Sequence, residues 1–292
     1  MNPPDARTQH YGTFYGLTPL PEDFAVVHGN CQAEAIRVLI DGRVPATVRV
    51  PPVHELTADD LVHVERTYRA AKMLIAQPVH DDYRGLPIGT AQVQSLLPHG
   101  APLVMFPVLR WSGLHPYHVL ARSAQVPDPP VVPYYDVRTI ARAAGLPEPD
   151  LTLPGIRQVA ALSRTELTAR QGYSHTVRAD DLFEAAGSRA TNTINHPGNA
   201  VLIGVARRIL ERLGVPDGVA DPGRELLRSI YAPIEPATLE ALALDGAPRT
   251  HWVVDGELVD DDVIAQAHLT WLRERPEALE LATRAAVTWT NQ

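Results

Sequence analysis

Strand-like and helix-like segments alternate along the first third of the chain, and this alternation restricts the fold more than any other feature. Strands that are separated by helices favour βαβ units and a mostly parallel sheet. Apolar runs predict strands at residues 24–28, 46–50, 73–79 and 103–109, with helical patterns at 32–40, 58–71 and 89–97 between them. We therefore predict an α/β fold whose N-terminal half contains a mostly parallel sheet flanked by helices.

The pattern changes after a proline-rich stretch at residues 126–133, where we expect a loop. Asp255-Gly256 matches the type I′ turn signal and predicts a small hairpin over residues 250–259. The remaining patterned segments are helical, at residues 139–144, 156–170, 179–186, 199–213, 261–274 and 276–287. We expect an extended N-terminal arm, an α/β lobe and a mainly helical lobe that completes the site, with bounds 1–21, 22–125 and 126–292.

Composition and charge restrict the class of partner. The 292 residues are 45% hydrophobic and 21% charged, which is ordinary for a globular protein. A formal net charge of -8 argues against a general nucleic-acid-binding protein. No apolar run approaches the roughly 18 residues of a membrane span, and the N-terminus lacks the pattern of a signal peptide. We therefore expect a cytoplasmic protein with small-molecule partners, no membrane span and no nucleic-acid partner.

The chain has a single cysteine, Cys31, where the first predicted strand passes into a helix. One cysteine excludes an intramolecular disulfide and a zinc site built from several cysteines. Unpaired backbone N–H groups and the macrodipole at the start of a helix stabilise an anion, and the thiolate is the nucleophilic form of cysteine. A lone cysteine is also often a small buried hydrophobic residue. The position of Cys31 alone leaves both interpretations open.

Polar neighbours of Cys31 favour a nucleophilic site. Asn30 and Gln32 carry side-chain N–H groups that can stabilise an oxyanion together with the backbone N–H groups of the helix start. The same residues can instead form a tight strand-to-helix turn with a capping asparagine. His28, on the strand that precedes the turn, either orients the site or ends the strand.

A cysteine nucleophile needs a proton acceptor, and twelve histidines supply candidates. His196 precedes a strongly patterned helix, whose N-terminus disfavours the charged imidazolium, although an exposed histidine in a capping loop is the alternative. His115, just beyond the strand at residues 103–109, is a second candidate for the base or for substrate contact. His115 and His118 can also share a helical face as metal ligands, but no third ligand has suitable spacing, so we predict no metal.

The third predicted strand is followed by Asp82, Tyr83 and Arg84, so an acidic and a basic side chain lie close together there. Arg84 can bind a phosphate or carboxylate group through the fork of its guanidinium, and the alternative is an Asp–Arg surface pair in a turn. The chain contains no Walker-type loop and no G-x-G-x-x-G motif, so those routes to nucleotide binding are unsupported. Ligands gather at the carboxyl ends of parallel strands, where the polar clusters at residues 28–31, 80–84 and 110–118 are expected to meet.

Taken together, these clusters resemble the WcbI family of polysaccharide biosynthesis enzymes. The Gly-Asn-Cys-Gln element after a strand is the most specific part of the resemblance. The matching pieces keep the family's order over residues 24 to 210 and are Val26-Val-His-Gly-Asn-Cys-Gln32, Gln77-Pro-Val-His-Asp-Asp-Tyr-Arg84 with Gly89-Thr90, Phe106-Pro107 with Ser112-Gly-Leu-His-Pro116, and Asn195-His-Pro197.

The resemblance implies binding of coenzyme A or acyl-CoA, a cysteine–histidine active site, and transfer of an acyl group, above all acetyl, to a sugar hydroxyl. It assigns Cys31 as the nucleophile and places both His115 and His196 in matching motifs. The proline-rich stretch and the hairpin depart from a capsule enzyme, so a hydroxyl or amine of a natural product is the other acceptor class. Contacts to substrate or coenzyme A are expected from Asp82, Tyr83, Arg84, Trp111, Ser112 and Asn195.

Two further functions remain alternatives. In an esterase or thioesterase, water replaces the acceptor and the same cysteine site hydrolyses its substrate. A noncatalytic protein that binds coenzyme A or a glycan has the same pocket without turnover.

Overall fold

The structure is a computed structural model that describes residues 4–123 and 125–290. The first three residues of the expected N-terminal arm, residue 124 and residues 291–292 lie outside the described part. The strands are β1 (Phe24–His28), β2 (Ala46–Val48), β3 (Met73–Ala76), β4 (Leu103–Met105), β5 (His118–Leu120), β6 (Tyr134–Asp136), β7 (Thr191–Thr193), β8 (His196–Pro197), β9 (Ile230–Tyr231), β10 (His251–Val254) and β11 (Glu257–Asp260).

Twelve α-helices alternate with these strands in the described part of the chain. They are α1 (Ala6–His10), α2 (Gly12–Tyr15), α3 (Cys31–Ile40), α4 (Leu61–Ala70), α5 (Thr90–Gln94), α6 (Val137–Ala143), α7 (Leu153–Arg170), α8 (Asp180–Ala186), α9 (Asn199–Arg212), α10 (Pro236–Ala241), α11 (Asp261–Glu274) and α12 (Pro276–Thr290). None of these helices combines the length and the apolar character that crossing a membrane requires.

The chain forms two compact units, each assembled from three chain segments. The first comprises the described residues up to Leu109 together with Leu167–Leu182 and Asn199–Leu226. The second comprises the described residues of Arg110–Glu166, Phe183–Gly198 and the chain from Leu227 onward. The division therefore differs from the expected boundary after residue 125. Within the first unit, α9 packs against α3, so a helix that follows the proline-rich stretch belongs to the α/β unit.

A four-stranded parallel sheet lies at the centre of the first unit, in the order β2-β1-β3-β4. All five residues of β1 are buried, which is typical of a parallel strand covered on both faces. Parallel crossovers are right-handed, and the connections β1–α3–β2 and β2–α4–β3 run in opposite directions across the sheet, so α3 and α4 cover opposite faces. The predicted α/β fold with a mostly parallel sheet is confirmed.

Three strands are shorter than the sequence predicts, and the first of them, β2, ends at Val48. β3 ends at Ala76 and β4 ends at Met105, although the apolar runs continue for three or four residues. Pro78 and Pro107 follow closely, and a proline has no N–H group to donate to the sheet. The chain therefore leaves the sheet at these points and enters the loops at its carboxyl edge.

The N-terminal residues differ from the expected extended arm, because α1 and α2 are helices. Asp5 caps α1 through a hydrogen bond from the Thr8 N–H group to Oδ1, 2.7 Å long. Phe14 in α2 is completely buried in the core of the first unit. The prolines of this segment favour an extended arm, but the capping aspartate and the buried aromatic ring stabilise the two helices.

The second unit has the expected hairpin, formed by β10 and β11. Its turn residues Asp255 and Gly256 have φ values of 50° and 92°, as a type I′ turn requires. Helices α6, α11 and α12 pack together, and β9 adds a third strand to the hairpin sheet. The short pairs β5–β6 and β7–β8 were not predicted, since strands of two or three residues give no detectable alternation.

The N-terminal helices are attached to the first unit through the buried carboxylate of Asp60. Arg7 donates two hydrogen bonds to it, 3.0 and 3.1 Å long, and the Tyr15 hydroxyl donates a third of 2.8 Å. Burial acts to raise the pKa of Asp60, but the hydrogen bonds from Arg7, Thr57 and Tyr15 outweigh it and lower the pKa to about 2. The charged carboxylate therefore stabilises the folded state.

We predict that Asp60→Asn lowers the free energy of unfolding by about 2 kcal/mol at neutral pH, the usual value for hydrogen bonds to a charged group. Because the folded pKa is depressed, this stabilisation is complete above the unfolded pKa near 4 and disappears as the pH falls towards about 2. Urea unfolding of both proteins across this pH range measures the effect. The exposed neighbour variant Asp59→Asn is the control, and an equal loss in both variants contradicts the assignment.

Candidate functional site

The order of the strands creates a switch point between β1 and β3. From β1 the chain moves to β2 on one side, whereas from β3 it moves to β4 on the other side. In open α/β sheets, ligands bind at such a point, beyond the carboxyl ends of the two strands. His28 and Ala76 are paired at the ends of β1 and β3, so the residues that follow them line this crevice. Cys31 follows the first of these strands.

Asn30 and Cys31 form the start of α3. Asn30 is the N-cap, and its Oδ1 atom accepts a hydrogen bond of 2.9 Å from the Gln32 N–H group. Cys31 is the first residue of the helix and is half-buried. The Asn30 side-chain NH2 group donates no hydrogen bond within the described part of the chain, so it is available to an oxyanion. The capping interpretation of Asn30 is therefore confirmed, and its role towards an oxyanion stays a prediction.

Gln77 connects the cysteine turn to the end of β3. Its Oε1 atom accepts a hydrogen bond of 2.9 Å from the Asn30 N–H group, and its Nε2 atom donates one of 2.7 Å to Gln32 Oε1. A Cβ atom on Gly29 would lie 2.5 Å from Gln77 Oε1, so only glycine permits this approach. Gln77 lies in one of the matching sequence motifs, but its role was not predicted from the sequence.

Gln32 is a structural residue and not the expected oxyanion donor. Its side chain is completely buried. Nε2 donates a hydrogen bond of 2.7 Å to the Leu109 carbonyl, and Oε1 accepts one of 3.0 Å from the Leu109 N–H group. The carboxamide therefore fixes the chain beyond β4 to α3, and it points into the protein interior.

His28 has a structural role as well. Its Nε2 atom lies 3.0 Å from the Ile88 carbonyl and its Nδ1 atom lies 2.7 Å from the Tyr68 hydroxyl. A carbonyl only accepts, so Nε2 carries the proton and the tyrosine donates to Nδ1. Burial lowers the pKa of His28 to about 4. The ring is neutral, has both nitrogen atoms engaged, and attaches β1 to α4.

The loop after β3 presents an arginine without an acidic partner. Arg84 is exposed, and its Nη1 atom donates a hydrogen bond of 2.6 Å to the His54 carbonyl. Asp82 accepts instead from Gln92 Nε2, at 2.8 Å, so the alternative of an Asp82–Arg84 surface pair is wrong. Tyr83 packs against the core of the unit. In the described residues Arg84 has no carboxylate partner, and its remaining N–H groups can receive an anion.

Trp111 and Ser112 are fixed within the second unit. Trp111 is nearly buried, with its ring 5.5 Å from that of Phe183. The Ser112 N–H group donates a hydrogen bond of 2.9 Å to Ser163 Oγ, while its side chain is half-buried. Asn195 Oδ1 accepts a hydrogen bond of 2.7 Å from the Tyr134 hydroxyl. These contacts position the three expected substrate-contact residues but do not bring Trp111 to the surface.

His115 is only 2% exposed, and its Nδ1 atom donates a hydrogen bond of 2.9 Å to the Pro233 carbonyl. Nε2 is buried and makes no hydrogen bond in the described part of the chain. Burial first, and then the nearby His118, lower the pKa of His115 to about 3. The ring is therefore neutral, and its Nε2 atom can accept a hydrogen bond.

His196 is more accessible than His115, being half-buried. Burial, helped by the positive charge of Arg122, lowers the pKa of His196 to about 4. The expectation that His196 stays neutral agrees with this direction, although burial is the main cause and not the following helix. Its ring lies edge-on to Tyr134, with centroids 6.3 Å apart.

A metal site at His115 and His118 would require that the two residues share a helical face, and they do not. His115 lies in a turn and His118 is the first residue of β5, with their ring centroids 5.8 Å apart and their planes 4° from parallel. Across the described residues, no group of three or more His, Cys, Asp or Glu side chains is arranged to hold a metal ion.

The family model of the polysaccharide biosynthesis enzyme WcbI matches residues 24–218 of this chain, which is more than half of its length. The chain belongs to the WcbI family. The resemblance drawn from the sequence motifs is therefore confirmed. A search of curated proteins found no match.

A solved structure of WcbI, described as a novel polysaccharide biosynthesis enzyme, has a similar fold. The TM-score is 0.77 at 18% sequence identity, and the match covers 93% of this chain and 97% of the other. That structure is of the native protein without a disulfide bond between coenzyme A and one of its cysteines. At this identity the similarity shows a common α/β fold for the WcbI-family chain.

We predict that Gln77→Leu lowers the free energy of unfolding by about 3 kcal/mol. The substitution leaves the Asn30 N–H group without its acceptor and removes one of the two donors to Gln32 Oε1, and the loss of a buried hydrogen bond costs about 1–3 kcal/mol. Denaturant unfolding measures the change. Gln94→Leu, at an exposed position of α5, is the matched control and is expected to change stability by less than about 0.5 kcal/mol.

Proposed function

We propose that this WcbI-family chain is a cysteine-dependent acyltransferase that moves an acyl group, most simply acetyl, from coenzyme A to a hydroxyl or amine. The placement of Cys31 carries the proposal. It is the first residue of α3 at the switch point of the sheet, where backbone N–H groups and the helix macrodipole favour the thiolate. A thiol with a merely structural role needs neither the half-exposed position nor the fixed turn around it.

The proposed reaction has two acyl-transfer steps. Attack of the Cys31 thiolate on the thioester carbonyl forms the new S–C bond, and collapse of the tetrahedral intermediate breaks the C–S bond to coenzyme A, whose thiolate leaves and takes up a proton from solvent. The acceptor hydroxyl or amine then attacks the S-acyl carbonyl and gives its proton to a histidine, which passes it to solvent, and cleavage of the S-acyl bond regenerates the Cys31 thiolate. Asn30 Nδ2 is the proposed oxyanion donor, typically worth about 3 kcal/mol, and the macrodipole of α3 adds to its effect.

Other residues have supporting roles in the proposal. Arg84 is the proposed contact to a coenzyme A phosphate, since it is exposed and has no acidic partner among the described residues. Ser112 and Asn195 are proposed substrate contacts, Asp82 and Tyr83 are proposed to support the loop that carries Arg84, and Trp111 is proposed to support the adjoining Ser112. The proposed partners are a small-molecule donor and acceptor, and the proposed location is the cytoplasm. Gln32 and His28 take no direct part in the proposed reaction, because both side chains are buried and hydrogen-bonded.

Incubation with acetyl-CoA followed by intact-protein mass spectrometry tests the nucleophile. Because the chain has one cysteine, a hydroxylamine-sensitive acetyl adduct can form only on Cys31. We expect the adduct in the wild type and none in Cys31→Ser or Cys31→Ala, with turnover lowered at least about a thousandfold. Full turnover by both variants contradicts the proposal. Release of free acetate without acceptor indicates a hydrolase, and unchanged acetyl-CoA indicates binding alone.

His196 is the proposed base, because its ring is partly accessible whereas His115 is enclosed. We expect His196→Gln to lower kcat by about a hundredfold or more, the usual contribution of a general base. The depressed pKa keeps the ring neutral above about pH 4, so His196 itself causes no loss of rate between neutral pH and about pH 5. The kcat of the variant and an NMR titration of the ring measure this. A larger loss in His115→Gln assigns the base to His115.

A further inference from the structure

Arg249 is a half-buried cation that lacks a counter-ion. It lies in the second unit, just before β10, and its Nη1 atom donates a hydrogen bond of 2.5 Å to the Ala232 carbonyl. Its guanidinium carbon lies 5.3 Å from the centroid of the Tyr231 ring. No carboxylate of the described residues forms an ion pair with Arg249, and burial lowers its pKa. The fold therefore holds this charge in place through a carbonyl and a ring.

Arg138 in the same unit shows what a compensated arginine looks like. Its Nη2 atom lies 2.6 Å from Asp136 Oδ2 and 2.8 Å from Glu235 Oε1. Although burial opposes it, these two carboxylates raise the pKa of Arg138. Withdrawing a cation from water without such a partner is costly, and an anionic ligand would remove that cost. Arg249 therefore has the environment of an anion-binding side chain.

Two buried polar atoms near Arg249 also lack partners. His115 donates a hydrogen bond to the Pro233 carbonyl, and Arg249 donates one to the carbonyl of the preceding residue, Ala232. The Nε2 atom of His115, on a ring that is 98% buried, makes no hydrogen bond in the described chain, and neither does the buried Oγ1 atom of Thr191. The Ala232 N–H group donates a hydrogen bond of 2.8 Å to the carbonyl of Asn192, the residue after Thr191, so the chain segments that carry Thr191 and the partners of Arg249 and His115 adjoin one another.

We propose that Arg249, His115 and Thr191 form a subsite for an acyl acceptor that carries a phosphate ester. The Arg249 fork binds the phosphate oxygens and the Thr191 hydroxyl donates to one of them. His115 Nε2 accepts a hydrogen bond from a neighbouring hydroxyl of the same molecule. The assignment to the acceptor rests on the proposed acyltransferase function, whereas the anion site itself does not.

Binding of inorganic phosphate to the full-length chain tests the anion site. We expect saturable binding of phosphate, measured through the NMR signals of the Arg249 side chain and the His115 ring. A titration with chloride at equal ionic strength is the control. Arg249→Gln should weaken this binding at least tenfold. Arg142→Gln should change it less than twofold, because Arg142 is exposed and paired with Glu148. Absence of saturable binding, or equal binding by wild type and Arg249→Gln, overturns the proposal.

Thr191→Val is a second test of the subsite, which can be used if Arg249→Gln does not fold. The hydroxyl that it removes has no hydrogen-bond partner in the described chain, so thermal stability should be unchanged while phosphate binding weakens severalfold. Unchanged phosphate affinity in this stable variant removes Thr191 from the subsite.

Further measurements show whether the bound phosphate belongs to the acceptor or to coenzyme A. They also distinguish a failure of this proposal from a failure of the nucleophile proposal. If Arg249→Gln weakens binding of a hexose monophosphate and leaves that of coenzyme A unchanged, the acceptor assignment is supported. If only coenzyme A binding weakens, that assignment is overturned. Cys31→Ala should still bind phosphate as the wild type does, so a failure of the nucleophile proposal is distinguishable from a failure of this one.

Discussion

The carboxamide of Gln77 is the contact on which the cysteine turn depends. It accepts from the Asn30 N–H group and donates to Gln32, whose own carboxamide is bonded to Leu109. The carboxyl ends of β1, β3 and β4 are thereby joined by neutral hydrogen bonds without a buried charge. Two buried amides can satisfy each other's donors and acceptors, so the turn is fixed without the desolvation cost of an ion pair. Cys31 is thus presented on a rigid element, as nucleophilic chemistry requires.

Burial sets the proton chemistry of the histidines, and it does so with different consequences. His28 has both ring nitrogen atoms engaged, so its neutrality serves only the packing of β1 on α4. His115 has one nitrogen engaged and one bare, which is the arrangement of an oriented base or acceptor. The same desolvation that lowers the pKa therefore gives a structural ring in one unit and a chemically competent ring in the other. The number of bonded nitrogen atoms distinguishes them.

The sequence was informative where a local pattern decides the structure. The strand β1, the helix that begins at Cys31 and the turn at Asp255-Gly256 follow from apolar runs, capping and turn chemistry, all of which act within a few residues. The role of Gln77 was missed because its partner Gln32 is 45 positions away in the chain. Arg249 was missed for the opposite reason. Only the fold shows that a half-buried cation forms no ion pair with a carboxylate of the described residues, since a local sequence cannot display an absent partner.

The interleaved segments of the two units have a consequence for how the chain reaches its native state. The first unit cannot place α9 against α3 until the residues up to Leu226 have left the ribosome, and the second unit includes the final helix. Domain-by-domain folding during synthesis, the usual route for large chains, is therefore closed to this protein. The sheet can be covered by α3 and α4 early in synthesis, but α3 lacks its contact with α9 until about a hundred further residues have been made. The packing of α9 on α3 therefore joins the first unit only after most of the second unit's middle segments have been synthesised.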